Sequence, residues 1–364
     1  MKKQKSGILR WEICFAILAI LLFIAVIANI WIGSANISVA DVFRILFTDS
    51  FKGQAQYTIA HVPQAVNRYL EIYLNTFSFA DTPKAEGVKN ISAALLGGAL
   101  GVSGYLIQTY FRNPIASPFV LGISSGAKMV LAFCVVIATN FLGGLSGISM
   151  VMASFIGSLI SMGFVLLCAG KTKNMAILLV IGIMIGYICS AITDLIITFA
   201  KDEEIVNLTY WSMGSFSGKD WDDVAVIAGF VLSAFAGTLL LIKPISAFRM
   251  GEGYAQSMGM NVKLFRVLLI LLSGILSACV VAYAGPISFV GIAVPHLTKM
   301  MFSTSKPSVI LPGTFLMGAV FCLVCDLIAR TVFAPTELAI GTVTAVFGAP
   351  VVIAMLLSKR RGEL

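Results

Sequence analysis

Few residues in this chain have the types and spacing that chemistry requires. The two histidines, His61 and His296, lie far apart, and no HExxH pairs them on a helix. Gly170-Lys171-Thr172 has the ending of a phosphate-binding loop, but Val165 stands where the first glycine must be. The chain is therefore not expected to hydrolyse ATP. Cys322 and Cys325 form a CxxC with no second CxxC and no neighbouring histidine. They read as small packing residues, as do Cys14, Cys134, Cys168, Cys189 and Cys279, each inside an apolar stretch. No catalytic set, metal site or resident cofactor is expected, which argues against an intramembrane enzyme. Two carboxylates, Asp194 and Asp326, sit within apolar runs, where charge is costly and often functional. Either they are proton sites of a proton-coupled secondary transporter, or they are hydrated or paired near span ends. Asp326 precedes Arg330 by four residues, so the two can meet on one helix face.

The elements around these residues are set by composition. Of 364 residues, 59% are hydrophobic and 12% charged, too few charges to cover a soluble domain of this size. Lipid must be the solvent for that surface, so the spans should be helices. The formal charge of +8 falls in short clusters between apolar segments, which suits membrane topology and not nucleic acid. Apolar runs predict about ten transmembrane helices, at residues 11–32, 91–110, 120–138, 148–168, 175–200, 224–242, 264–283, 289–302, 311–331 and 340–357. The eighth is short and rests partly on the family resemblance described below. The first is long enough to be a retained helix and not a cleaved signal. The expected fold is an all-α membrane protein, a single transmembrane domain over residues 1–364. It divides into an N-terminal helix (1–32), an extended outer loop (33–90) and a core (91–364).

With the N-terminus inside, alternation gives the inner side most of the basic residues, including Arg10, Arg112, Lys171, Lys243, Arg249, Lys263, Lys306 and Lys359. Most acids fall outside, among them Asp202, Glu203, Glu204, Asp220, Asp223 and Glu337. Both termini are thus expected in the cytoplasm, in a plasma (inner) membrane protein. An inner loop over residues 243–263 carries glycine-flanked stretches able to form helical turns, and an ordered loop of that length usually touches a partner.

GxxxG spacings at Gly97/Gly101, Gly122/Gly126, Gly143/Gly147 and Gly182/Gly186 predict close helix packing. Proline and glycine also break the apolar runs. One break runs from Asn113 through Pro114 and Pro118 to Gly122, after the second span. Another runs from Gly285 and Pro286 to Pro295 and His296, after the seventh. Broken helices are tolerated only against protein or a water-filled path, so both are candidate pathway elements. Being five spans apart, they would have opposite orientations, which suggests an inverted repeat.

The stretch Arg112-Asn-Pro-Ile-Ala-Ser-Pro-Phe-Val-Leu-Gly-Ile-Ser-Ser-Gly-Ala127 resembles the FecCD-type permease family, the membrane subunits of ABC importers for ferric siderophores, haem and cobalamin. Tyr210-Trp-Ser-Met-Gly-Ser-Phe216, Gly251 to Val262, Gly285 to His296, Asp326 to Arg330, Glu337 to Gly341 and Phe347 to Pro350 resemble further family elements, in order. The resemblance implies ten helices per subunit in a type II ABC importer permease. It also implies a second permease, identical or homologous, around a central path. Two cytoplasmic ABC ATPases would carry the ATP–Mg, and an extracytoplasmic binding protein would deliver the metal-chelate cargo. It makes Gly251, Glu252, Gly253, Ala255, Ser257 and Gly259 the ATPase-coupling loop. Arg330 resembles an arginine that faces acids of the binding protein; its alternative partner is Asp326.

The sequence departs from the family in two places. His61-Val-Pro-Gln64 lacks the arginines with which members usually begin the second helix. Either Arg68 replaces them or docking differs on this side. The polar stretch 68–90, with loop-like Asp81-Thr-Pro83 and Lys84-Ala-Glu-Gly87, is either an extended outer loop or a helix lying on the membrane. Lys128 also puts a charge inside a span, where it either snorkels to the surface or lines the pathway.

Overall fold

A computed structural model describes residues 2–33, 83–142, 146–172, 174–333 and 336–361. Among them are thirteen α-helices, one 3₁₀ turn and no strand. In chain order the helices are α1 (Lys2–Gly33), α2 (Pro83–Phe111), α3 (Ile123–Leu142), α4 (Gly147–Lys171), α5 (Met175–Ile197) and α6 (Asp202–Met213), with the 3₁₀ turn at Pro118–Leu121 before α3. Then come α7 (Trp221–Leu240), α8 (Ile242–Arg249), α9 (Glu252–Ser257), α10 (Val262–Ala284), α11 (Val290–Phe302), α12 (Pro307–Thr331) and α13 (Ile340–Arg361).

Each of the ten expected apolar segments carries a helix. Eight helices are long and apolar enough to cross a bilayer alone. The other two, α3 and α11, follow the two breaks. With 13 residues, α11 reaches only about 20 Å at 1.5 Å per residue, against a hydrocarbon core of about 30 Å.

Local chemistry sets the boundaries. Asn174 Oδ1 accepts from the Ala176 and Ile177 N–H groups to start α5, and Asn261 Oδ1 accepts from Leu264 N–H to start α10. Asp220 and Asp223 close a reciprocal capping box at α7. Two boundaries differ from the sequence reading. The loop-like residues Lys84 to Gly87 lie in α2, which starts at Pro83; proline suits the first turn, where its missing N–H costs nothing. The polar helix α6 was not foreseen. Three acids in its first turn favour a helix start, and Glu204 Oε2 accepts from Lys201 N–H.

The core forms around α2, whose Gly87–Phe111 stretch is 83% buried, whereas α5 is 17% buried. Helix α2 packs on α12, α10, α11, α7 and α1. The neighbours repeat. Helices α3, α4 and α5 pack on one another as α11, α12 and α13 do, and α4 packs on α10 as α12 packs on α2. At the α2–α10 contact the bonds are reciprocal. Ser103 Oγ donates to Ser273 O at 2.8 Å, and Ser273 Oγ donates to Ser103 O at 3.1 Å. This is the pairing pattern expected of the inverted repeat that the two breaks suggested.

Candidate functional site

Both breaks reach the central helix. After α2, Arg112 takes a left-handed backbone (φ 49°), and Asn113 Oδ1 accepts from Ile115 N–H. Ser117 caps the 3₁₀ turn, which Pro118 opens and Gly122 closes. The Gly122 carbonyl then accepts from Gly126 N–H and from Ser161 Oγ at 2.9 Å. After α10, the chain turns at Gly285, passes Pro286 and enters α11 through Phe289 (φ 64°). Gly291 meets Pro118, Leu100 and Gly104 together, so residues from both breaks touch one stretch of α2. The contact at Gly104 is backbone on backbone: a Cβ there would lie 1.8 Å from Gly291 O, so only glycine fits. Pro295 is buried within α11 and His296 half-buried beside it.

Three sequence elements converge at the end of α10. Gly214 packs on the Ala284 and Pro286 carbonyls, Ser215 N–H donates to Ala284 O at 3.0 Å, and Gly341 sits against Met213 O and Pro286 O. Phe216 is buried there. Nearby in sequence, burial pushes Lys219 below the ordinary lysine range against the pull of Asp223 and Asp220.

Beside Pro286 lies a cavity of about 210 Å³, lined by Ser124, Ser125, Lys128, Thr193, Asp194 and Trp211 among others. Lys128 thus lines a polar cavity that also contains Asp194. Hydroxyls and charges at this depth need water or protein and not lipid.

The second carboxylate is differently placed. Asp326 Oδ2 lies 3.1 Å from Arg330 Nε and Oδ1 3.6 Å from Lys89 Nζ, two ion pairs; the carboxylate and guanidinium are 5% and 8% exposed. Arg330 also donates to Asn29 O at 3.4 Å and bonds Asn29 Oδ1, while Asn29 Nδ2 donates to Leu323 O. The Asp326–Arg330 contact follows from the four-residue spacing. Lys89 and Asn29 could not be anticipated, because they come from other helices with no marker in their own segments. Arg68, the other residue considered for docking, lies outside the described residues, as does His61.

The inner loop folds into two short helices, α8 and α9. Gly251 (φ 128°) and Gly259 (φ 78°) bracket α9. Ala255, Ile245 and Phe248 face inward, and Glu252 accepts from Arg266 Nη2 at 2.7 Å, tying α9 to α10. The outer face is apolar: Met250, Tyr254 and Met258 are 71%, 45% and 66% exposed. Space is open where Gly251, Gly253 and Gly259 would carry a Cβ, and Ser257 is exposed.

Arg10 donates to Ser303 Oγ, Lys306 lies over the Trp11 ring, Arg249 bonds Ser305 O, and Arg112 donates to Phe248 O. One end of the bundle is therefore basic and carries α8 and α9. The CxxC cysteines are buried free thiols, with Cys322 packed against Gly97.

Comparison with known proteins places this geometry. The profile of the FecCD transport family matches residues 20–358. The vitamin B12 import system permease protein BtuC of Salmonella typhi is 35% identical over 277 residues, 75% of this chain and 82% of that one. The hemin transport system permease protein HmuU of Yersinia pestis is 35% identical over 269 residues, 74% of this chain and 80% of that one. A solved metal-chelate type ABC transporter in an inward-facing conformation superposes with a TM-score of 0.75 at 25% identity, covering 96% of this chain and 99% of its own. The chain belongs to the FecCD transport family and is a multi-pass membrane permease.

Proposed function

We propose that this permease is the membrane subunit of an ABC importer for bulky metal-chelate cargo of the iron–siderophore, haem or cobalamin kind, driven by ATP hydrolysed on a partner. One observation carries the reading: α8 and α9 form a compact bracket at the basic end, latched by Glu252–Arg266 and bearing an exposed apolar face. Such a bracket can be gripped as a rigid body, which suits seating in an ABC ATPase through Gly251, Glu252, Gly253, Ala255, Ser257 and Gly259. Relatives named for vitamin B12 and hemin transport support the cargo class. The excess of basic residues at that end supports its placement in the cytoplasm with both termini, in the plasma membrane. The path between the Lys128–Asp194 cavity and the opposite end would be completed by a second permease, identical or homologous. Arg330 and Arg68 are the residues proposed to meet an extracytoplasmic binding protein. For Arg330 this means sharing a guanidinium already held by Asp326.

Reconstitution tests the reading. The permease and the ATPase that co-purifies with it are placed in vesicles, and uptake of haem, cyanocobalamin and a ferric siderophore is followed. Uptake of one of these should require ATP, stop with orthovanadate and survive an uncoupler. Glu252→Gln should cut that uptake several-fold while shifting stability by less than about 1 kcal/mol, as expected for an ion pair whose carboxylate is 37% exposed. Uptake driven by a proton gradient without ATP would instead establish the secondary-transporter mechanism.

A further inference from the structure

Where α2 ends, its last turn, α8 and α11 enclose a cavity of about 280 Å³ at the basic end of the bundle. Three cations line it: Arg112, Arg249 and Lys299. Among the described residues, no aspartate or glutamate does. The nearest carboxylate in sequence, Glu252, is already paired with Arg266 at 2.7 Å. The cations are held by neutral groups. Lys299 Nζ donates to Gln108 Oε1 at 3.3 Å and lies 5.5 Å from the Tyr105 ring centre. Gln108 is oriented for this, because its Nε2 donates to Gly291 O and Ile292 O. Arg112 stacks on Phe248 at 4.6 Å and donates to Phe248 O at 3.2 Å.

Each of these bonds uses one donor of a group that has three or five. Spare N–H donors on three like charges therefore border one concave space, and holding them together without a counter-ion is unfavourable. Arg112 also keeps its position with a left-handed backbone that non-glycine residues rarely adopt. Arginine forks and a lysine ammonium are the groups that bind phosphoryl oxygens well, and basic pockets between helices on a membrane's inner side hold lipid headgroups. We infer that this cavity is a binding site for a phosphoryl oxyanion, carried by an acidic lipid headgroup or present as free phosphate. Since its cations come from the end of α2, from α8 and from α11, an occupant fastens α8 to the helix core.

The test uses the full purified chain in lipid nanodiscs, without any ATPase, so its outcome is independent of the transport reading. One arm titrates inorganic phosphate into phosphatidylcholine discs; the other replaces part of that lipid with phosphatidylglycerol. The thermal unfolding midpoint should rise saturably in one arm, and the responding arm identifies the source. Arg249 is exposed, so Arg249→Gln should fold normally and weaken the response about tenfold or more, the loss expected for a charge-assisted bond. Lys299→Gln should do the same and Lys299→Arg should restore it. Lys171→Gln, at the same end but away from the cavity, should respond as wild type. An unchanged midpoint in both arms would overturn the site. So would an equal response from wild type and Arg249→Gln, or a rise that appears only when an ATPase is added.

Discussion

Asp326 shows how far a single residue can be read from its own neighbourhood. A carboxylate in an apolar run poses a choice between proton carrier and ion-pair partner. The structure surrounds it with Arg330 at 3.1 Å and Lys89 at 3.6 Å, and turns Arg330 onto Asn29. A buried carboxylate with two cations as its partners suits a structural anchor better than a proton carrier, because each cation depends on it for a counter-charge. Removing it leaves two buried cations without their counter-charge. Asp326→Asn should therefore destabilise the chain by about 3–5 kcal/mol in chemical unfolding from mixed micelles. The triple variant Lys89→Met, Asp326→Leu, Arg330→Met should recover much of that loss, because apolar residues of similar volume leave no charge unpaired. If Asp326 were a proton site with no structural role, Asp326→Asn would abolish transport and leave stability near wild type.

At the scale of elements, legibility followed the physics of each segment. Ten apolar runs were readable because a bilayer demands about 20 apolar residues per helix, and the proline–glycine breaks were readable because nothing else interrupts such runs. Helix α6 was missed although its signal was present: Lys201 precedes Asp202, Glu203 and Glu204, and Tyr210 and Trp211 follow on the same helix. A polar helix outside the lipid has no length requirement to announce it. The true start of α2 was hidden by the same polarity, since Lys84 to Gly87 look like loop when composition alone is weighed. Glycine spacing predicted close packing but not partners. Gly97 meets Gly318, Gly126 meets Gly157, and Gly104, outside the GxxxG pair at Gly97/Gly101, makes the tightest approach to another backbone among the described glycines. Gly104→Ala cannot be relieved by moving a side chain, because its Cβ would lie 1.8 Å from a backbone carbonyl of α11. It should cost about 3 kcal/mol or more, at the upper end of overpacking effects. In contrast, Gly163→Ala in α4 meets nothing within 4 Å and should stay within about 0.5 kcal/mol of wild type. Thermal unfolding of the two variants side by side checks the contrast.

For the whole molecule, the arrangement of the two repeats decides which parts can move. Alternating access needs one group of helices to rock against another, and any interface that rocks must offer its polar groups partners in both states. The α2–α10 contact does not satisfy that condition. Ser103, Ser273 and Ser277 are all fully buried and bonded to each other, with Ser103 Oγ 2.7 Å from Ser273 Oγ and 2.5 Å from Ser277 Oγ. Sliding this contact would strand hydroxyls where neither water nor a second partner waits, at roughly 1–3 kcal/mol for each group left unbonded. Around this axis the picture changes: only 17% of α5 is buried, and it carries Asp194 and borders the polar cavity. Movement therefore belongs to the periphery, and the axis stays fixed. A disulfide between cysteines placed by Ser103→Cys and Ser273→Cys should form under mild oxidation and leave the transport rate of the reconstituted permease within about twofold of its reduced form. A much larger, reductant-reversible loss would mean that the axis itself moves, and that the two repeats do not rock around a fixed centre.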